Sequence, residues 1–369
     1  MKNKGFWATL LVLSLALCTW GYFHPYARLG FSLLPVILCA NYRVLIAEWH
    51  KGIPRWIWVL WLVIFLSALG HLAYGRTLTD VMGVLLTVLL LGAYLLSRTI
   101  STELRVRLAW LAILGSAGII INRTYDTTTF MPGFLGVFHY AALTLLIGLV
   151  LAPRNMRFWT ALFVLPALLV SGSEEGLVSL VLIGLYCLLT HKITRQILVP
   201  LGATCLIAVP LFTTGWLEEV YPKLDSERLQ HNMQTLSHGR WDAYVDLATK
   251  PGVWILGQGW YWVNVPSAEA ERWSETHPGV QLWQTAHNAP MRVAAQFGIL
   301  AALSWLFLIL AGLWKSKYKT VFLIILCFAF MDYLLWAGAI AWPFVLLGVC
   351  YPSKQTWTPI YYEGHGGSL

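Results

Sequence analysis

The sequence predicts an all-α polytopic membrane protein with about twelve transmembrane helices and one long external loop. Three observations carry this reading. The chain of 369 residues is 58% hydrophobic and only 11% charged, whereas soluble domains carry about 25% charged residues. Its apolar residues fall in runs close to the roughly 20 needed to cross a bilayer. Its basic residues gather in short segments between those runs, which is the positive-inside pattern. The formal net charge of +8 therefore does not imply nucleic acid as a partner, because no basic groove or stripe collects it.

The apolar runs lie, in order, near Gly5–Phe23, Leu29–Ile46, Trp56–Tyr74, Val81–Leu96, Leu108–Ile121, Phe138–Leu151, Phe158–Val170, Leu177–Thr190, Ile197–Thr214, Pro290–Trp314, Val321–Leu335 and Ile340–Tyr351. The first follows Lys2 and Lys4 and has no small-x-small cleavage site before Tyr22–His24, so it is read as a retained span. With the N-terminus inside, alternation puts Lys51, Arg55, Arg98, Arg105, Arg107, Arg154, Arg157, Lys315, Lys317 and Lys319 on the cytoplasmic side. The short external segments then hold only Arg28, Arg76 and Arg123. The layout that follows is residues 1–214 as about nine spans, 215–287 as an external loop with short helices, 288–352 as two or three further spans, and 353–369 as a cytoplasmic tail. The six Cys all lie in or at the ends of apolar runs, so neither a disulfide framework nor a Cys-based metal site is expected in the loop.

The loop is the one long polar interval of the chain. It holds seven of the 20 Trp and four of the ten His, and a loop of this length on a packed scaffold is a functional candidate. At its end, Asn288 suits a helix N-cap and Pro290 a first turn. Asn288, Arg292 and Gln296 then recur at i, i+4 and i+8 on one face. Such a stripe entering an apolar helix is costly unless it faces a cavity or a partner. His287 stands at its mouth. The alternative is a capping Asn, a surface His and a snorkelling Arg, and the residues alone leave both readings open.

Within the loop, Ser237 to Gly252 reads as a short amphipathic helix, with Trp241, Val245 and Ala248 on one side and Pro251-Gly252 as its stop. Arg240 in its first turn suits bidentate phosphate binding, or a surface ion pair with Asp242 or Asp246. Further on, Gly257-Gln258-Gly259 suits a tight turn or a close approach of backbone to ligand. It lacks the third glycine and βαβ context of a dinucleotide fingerprint. Trp260 and Trp262 fit either an interfacial aromatic belt or a platform for sugar faces. Outside the loop, Arg123, Asp126 and His139 fall in one external segment. Glu174 and Glu175, between Ser171 and Gly176, are either paired acids at membrane depth or an exposed turn. Asp332 is a further buried-acid candidate.

In their order and spacing these residues resemble the O-antigen ligase and polymerase superfamily. The resemblance rests on Arg240-Trp241, Pro251, Gly257-Gln258-Gly259 and His287-Asn288 with Gly298 ten residues on, together with the upstream stretch from Gly133 and the whole-chain layout. It implies a GT-C-like glycosyltransferase of the bacterial inner membrane, with its active site facing the periplasm. The implied donor is a glycan on undecaprenyl pyrophosphate. The implied acceptor is a lipid A–core sugar, as in lipopolysaccharide biosynthesis, or else another repeat unit or a protein hydroxyl. No cofactor or metal is implied. The implied roles are catalysis by His287 and Asn288, pyrophosphate binding by Arg240, and glycan binding by Trp241, Trp260 and Trp262. The family's Ser-Arg pair at the outer end of a middle span is Ser173-Glu174 here, which leaves Arg123 or Arg292 to supply the second cation. A transporter or flippase is the alternative from another class. It predicts broken spans at corresponding positions of two halves. A non-catalytic assembly factor is the third.

Overall fold

The structure is a computed structural model and describes residues 3–18, 25–75, 78–125, 138–190, 197, 199–206, 255, 257, 289–331 and 336–351. Among these the regular structure is helical throughout. The helices are α1 (Lys4–Cys18), α2 (Pro25–Ala40), α3 (Tyr42–His50), α4 (Arg55–Gly75), α5 (Leu78–Thr99), α6 (Ser101–Tyr125), α7 (Phe138–Leu151), α8 (Arg157–Val170), α9 (Glu174–Leu189), α10 (Ala289–Phe297), α11 (Ile299–Lys315), α12 (Lys319–Met331) and α13 (Trp336–Cys350).

Apart from Ile197–Thr214, most of which lies outside the described residues, the apolar runs become these helices, with three departures that have local causes. The run Leu29–Ile46 is not one helix. It turns at Asn41, where the pieces Ser32–Ala40 and Tyr42–His50 meet at 70°. Asn41 donates its side-chain amide to the Ile37 carbonyl at 2.8 Å, and the chain leaves at a new angle. The run Pro290–Trp314 is also broken, at Gly298 with φ 87° and ψ 167°, a conformation that strains residues bearing a Cβ. The run Leu108–Ile121 sits inside the longer α6, which begins at Ser101 and carries Arg123 in its last turn, so Arg123 is helical and not in a loop.

Among the described residues, Arg55–Ala73 and Ser101–Arg123 are long and apolar enough to cross a bilayer singly, and the bent α2–α3 pair makes up to a third. The other apolar helices run 10–17 residues. The outward faces are apolar too: Val36, Val59, Leu66, Leu114, Trp159 and Phe307 are each more than half exposed. Many more large apolar side chains are exposed along the same helices, and apolar outer faces on this scale mark a surface that meets lipid or a partner. The chain is a membrane protein.

Packing organises the bundle around α5 and α6. The first holds α4 and α13, and the second holds α1, α7 and α8, while α12 lies against α7, α9 and α11. Small residues let backbones meet, as is usual between membrane helices. A Cβ on Gly148 of α7 would stand 2.6 Å from the Leu108 carbonyl of α6, and one on Gly348 of α13 would stand 2.5 Å from the Tyr94 carbonyl of α5.

One end of the bundle is basic. There Lys51 bonds the buried Glu48 at 2.7 Å, and Arg98 lies 3.9 Å from the same carboxylate and donates to the Gly52 carbonyl. Arg105 donates to the Leu151 carbonyl at 2.9 Å and lies over Tyr318. Lys315 lies over Trp56. These contacts tie the start of α4, α6 and α12 to the end of α5, α7 and α11 at a single pole.

Candidate functional site

The opposite pole is built from the end of α6, the turn between α8 and α9, and α10. Arg123 is 4% exposed and donates from Nη2 to the Ser171 carbonyl at 2.8 Å. A guanidinium keeps its charge when desolvated, so its burial demands hydrogen-bonding partners. The turn that receives it is rigid for reasons legible in its residues. Ser171 ends α8, its hydroxyl donating to the Leu168 carbonyl at 2.9 Å and accepting the Ser173 N–H at 3.2 Å. The Ser173 hydroxyl accepts the Gly176 N–H at 3.0 Å, which caps the first turn of α9. Gly176 in turn lets this corner close on Ala142 of α7, to whose methyl a Cβ would come within 2.9 Å. Ser171 and Ser173 are fully buried. The expectations of paired acids or of an exposed turn rest on the side chains of Glu174 and Glu175, which lie outside the described residues.

α10 forms the second half. It lies against α4, α11 and α12, and all but Pro290 and Met291 of its nine residues are buried. Arg292 is 6% exposed and Gln296, one turn on, 2%. The stripe read from spacing is therefore real over these two positions and turns into the protein, which removes the snorkelling alternative for Arg292. Ala289, immediately after His287-Asn288, is 1% exposed, so the chain is pinned where that pair ends.

Gly257 connects the loop to this helix. Its φ is 76°, and an added Cβ would strike the Gln296 carbonyl and the Phe297 nitrogen. The close approach expected here was to a ligand; the approach the structure shows is to the backbone of α10. The remaining expectations in this region, on Arg240, Trp241, Trp260, Trp262, His287, Asn288, Gly259, Asp126 and Asp332 and on the side chain of His139, lie outside the described residues.

Sequence reasoning missed the Ser171–Ser173 corner and the break at Gly298. A Ser three residues before Gly176 at a helix start is a capping signal, and it was obscured by the two acids beside it. Nothing in the apolar pattern around Gly298 distinguishes a broken helix from a continuous one.

Apolar helices with outward apolar faces, and two arginines buried at the pole remote from the basic one, define a polytopic membrane protein built around a polar end. Residues 159–306 match the family model described as O-antigen ligase, which bears out the resemblance read from the sequence. The matched interval runs from α8 into α11 and takes in the Ser171–Gly176 corner, Gly257 and all of α10. No curated protein matches the chain.

Proposed function

We propose that the chain is a membrane glycosyltransferase that moves a glycan from undecaprenyl pyrophosphate to a lipid A–core sugar at the periplasmic face of the inner membrane. The observation that carries this is the O-antigen ligase match over residues 159–306, an interval that contains the buried Arg292–Gln296 stripe directly behind His287-Asn288. Polymerase and protein O-oligosaccharyltransferase activity are the readings within the same superfamily and differ only in the acceptor. The described residues add no support to the transporter alternative, since the two breaks among them, at Asn41 and Gly298, belong to opposite poles.

In the proposed reaction the acceptor hydroxyl oxygen attacks the anomeric carbon of the donor sugar. The bond from that carbon to the pyrophosphate oxygen breaks, its electron pair stays with undecaprenyl pyrophosphate, and the hydroxyl proton passes to His287. Neutral imidazole suits this step near neutral pH. Arg240, with Arg123 or Arg292, offsets the charge that grows on the leaving group. Asn288 orients the acceptor, and Trp241, Trp260 and Trp262 stack on sugar faces. Pyrophosphate is a good leaving group, so arginines suffice for its charge and the reading calls for no metal or nucleotide. Confinement of both substrates at the bilayer edge raises their effective concentration.

The test is transfer from a defined lipid-linked donor by purified protein. General-base contributions run from about 10²- to 10⁴-fold, so His287→Ala is expected to lose transfer by that factor while its folded fraction holds. Wild-type turnover in His287→Ala removes His287 from the reaction. Activity in His287→Gln with none in His287→Ala reduces its role to a hydrogen-bond donor.

A further inference from the structure

We propose that the groove between α4 and α11, at the basic pole and far from the site above, is a binding site for an anionic phospholipid. The groove is about 770 Å³ in volume, and its walls include Arg55, Trp56, Val59, Phe307, Trp314 and Lys315. A volume of this order matches small-ligand sites. Its long walls are apolar and open to the outside, with Val59 54% and Phe307 56% exposed. Its two cations stand together at one end, because Arg55 begins α4 and Lys315 ends the neighbouring α11. No acidic residue lines it.

This distribution of charge selects the occupant. An amphiphile with apolar chains and a negative head lays its chains along the walls and its phosphate between Arg55 and Lys315. The head end is already shaped: the Lys315 ammonium lies 4.9 Å from the centre of the Trp56 ring, and Trp56 also packs edge-on with Tyr351, ring centres 5.9 Å apart. Trp314, 83% exposed, completes a pair of indoles at the level where such rings meet lipid headgroups. A peptide is a poor occupant, since the walls between the cations and the far end offer no backbone partner and its amides would go unsatisfied. A neutral lipid would fill the walls and leave the two cations without a counter-charge.

The test uses the full-length protein purified in mild detergent, stripped of lipid, and offered phosphatidylglycerol or phosphatidylcholine of the same acyl chains, with bound lipid counted by native mass spectrometry. The wild type is expected to retain phosphatidylglycerol preferentially. A basic side chain near an anionic lipid surface is worth about fivefold in affinity, so Arg55→Ala combined with Lys315→Ala should lower that preference by about 25-fold. Arg43→Ala, which removes an exposed cation outside the groove, should leave the preference unchanged. Ala311→Trp, which keeps both cations and fills the groove, should displace the lipid. The charge-keeping pair Arg55→Lys and Lys315→Arg should retain it. Equal retention of the two lipids by the wild type overturns the proposal without recourse to any variant. So does undiminished preference in the double alanine variant, or complete displacement of the lipid by glycerol phosphate, which would mean that the cations read a soluble phosphate. If the groove variants change the oligomeric mass and not lipid retention, the groove is instead a contact between copies of the chain.

Discussion

Arg123 is tightly constrained at the polar end. It is buried, it is charged at every accessible pH, and one of its donors is committed to the Ser171 carbonyl. That bond fixes the guanidinium from which, in the proposed reaction, Arg123 would meet the pyrophosphate. Lysine at this position would keep the charge and lose the fork. A charge-assisted contact is worth about 1.5–3 kcal/mol, so Arg123→Lys is expected to lower transfer by roughly ten- to 150-fold, with each tenfold corresponding to about 1.4 kcal/mol. The check is turnover normalised to folded protein, alongside the thermal midpoint. A fall in the midpoint with normal turnover of the folded fraction would show that Arg123 only ties α6 to α8. At this scale the sequence was informative where spacing carries meaning. Arg292 and Gln296, four residues apart, are buried one turn apart as read. The burial of Arg123 was not legible, because a helix that outlasts its apolar run leaves no mark in hydropathy.

Between elements, the informative contact is Gly257 on the end of α10. The residue needs a positive φ and also backbone-to-backbone contact, so a methyl group there meets both strain and collision. Gly257→Ala is expected to destabilise the protein by about 1–3 kcal/mol and to lower transfer, whereas Ala at the unstrained and open Gly184 of α9 should do neither. Thermal denaturation in detergent with a parallel transfer assay measures both. An unchanged midpoint and turnover in Gly257→Ala would mean that the loop does not lean on α10. Helix existence was legible from runs of leucine, valine and alanine. The two breaks were not, since Asn41 and Gly298 sit in patterns whose apolar period continues across them, and what ends each helix is a single side-chain bond at one and a single dihedral at the other.

At the scale of the molecule, charge separates the two ends. Lys51, Arg98, Arg105 and Lys315 meet at one pole, while Arg123 and Arg292 are buried toward the other. Basic residues stay on the cytoplasmic side, and on that rule we propose that residues 215–287 face outward. A cysteine placed at Ser267 in a Cys-depleted variant is expected to react with an impermeant thiol reagent in intact cells whose outer membrane has been made permeable. Labelling only after lysis would invert the orientation. The basic pole was legible in the sequence, because the gathering of Lys and Arg in short segments depends on counts of charge and not on geometry. The placement of α10 has a consequence for how the chain is made. At about 1.5 Å per residue its nine residues reach about 13 Å, well short of a bilayer core of roughly 30 Å, and Arg292 and Gln296 resist transfer into lipid. α10 therefore cannot enter the membrane by itself. Its seat is formed by α4, which is synthesised long before it, and by α11 and α12, which are synthesised after it. During synthesis that seat stays incomplete until α12 has left the ribosome, and a chain halted before Lys319 would hold Arg292 against α4 and α11 with the α12 side still open.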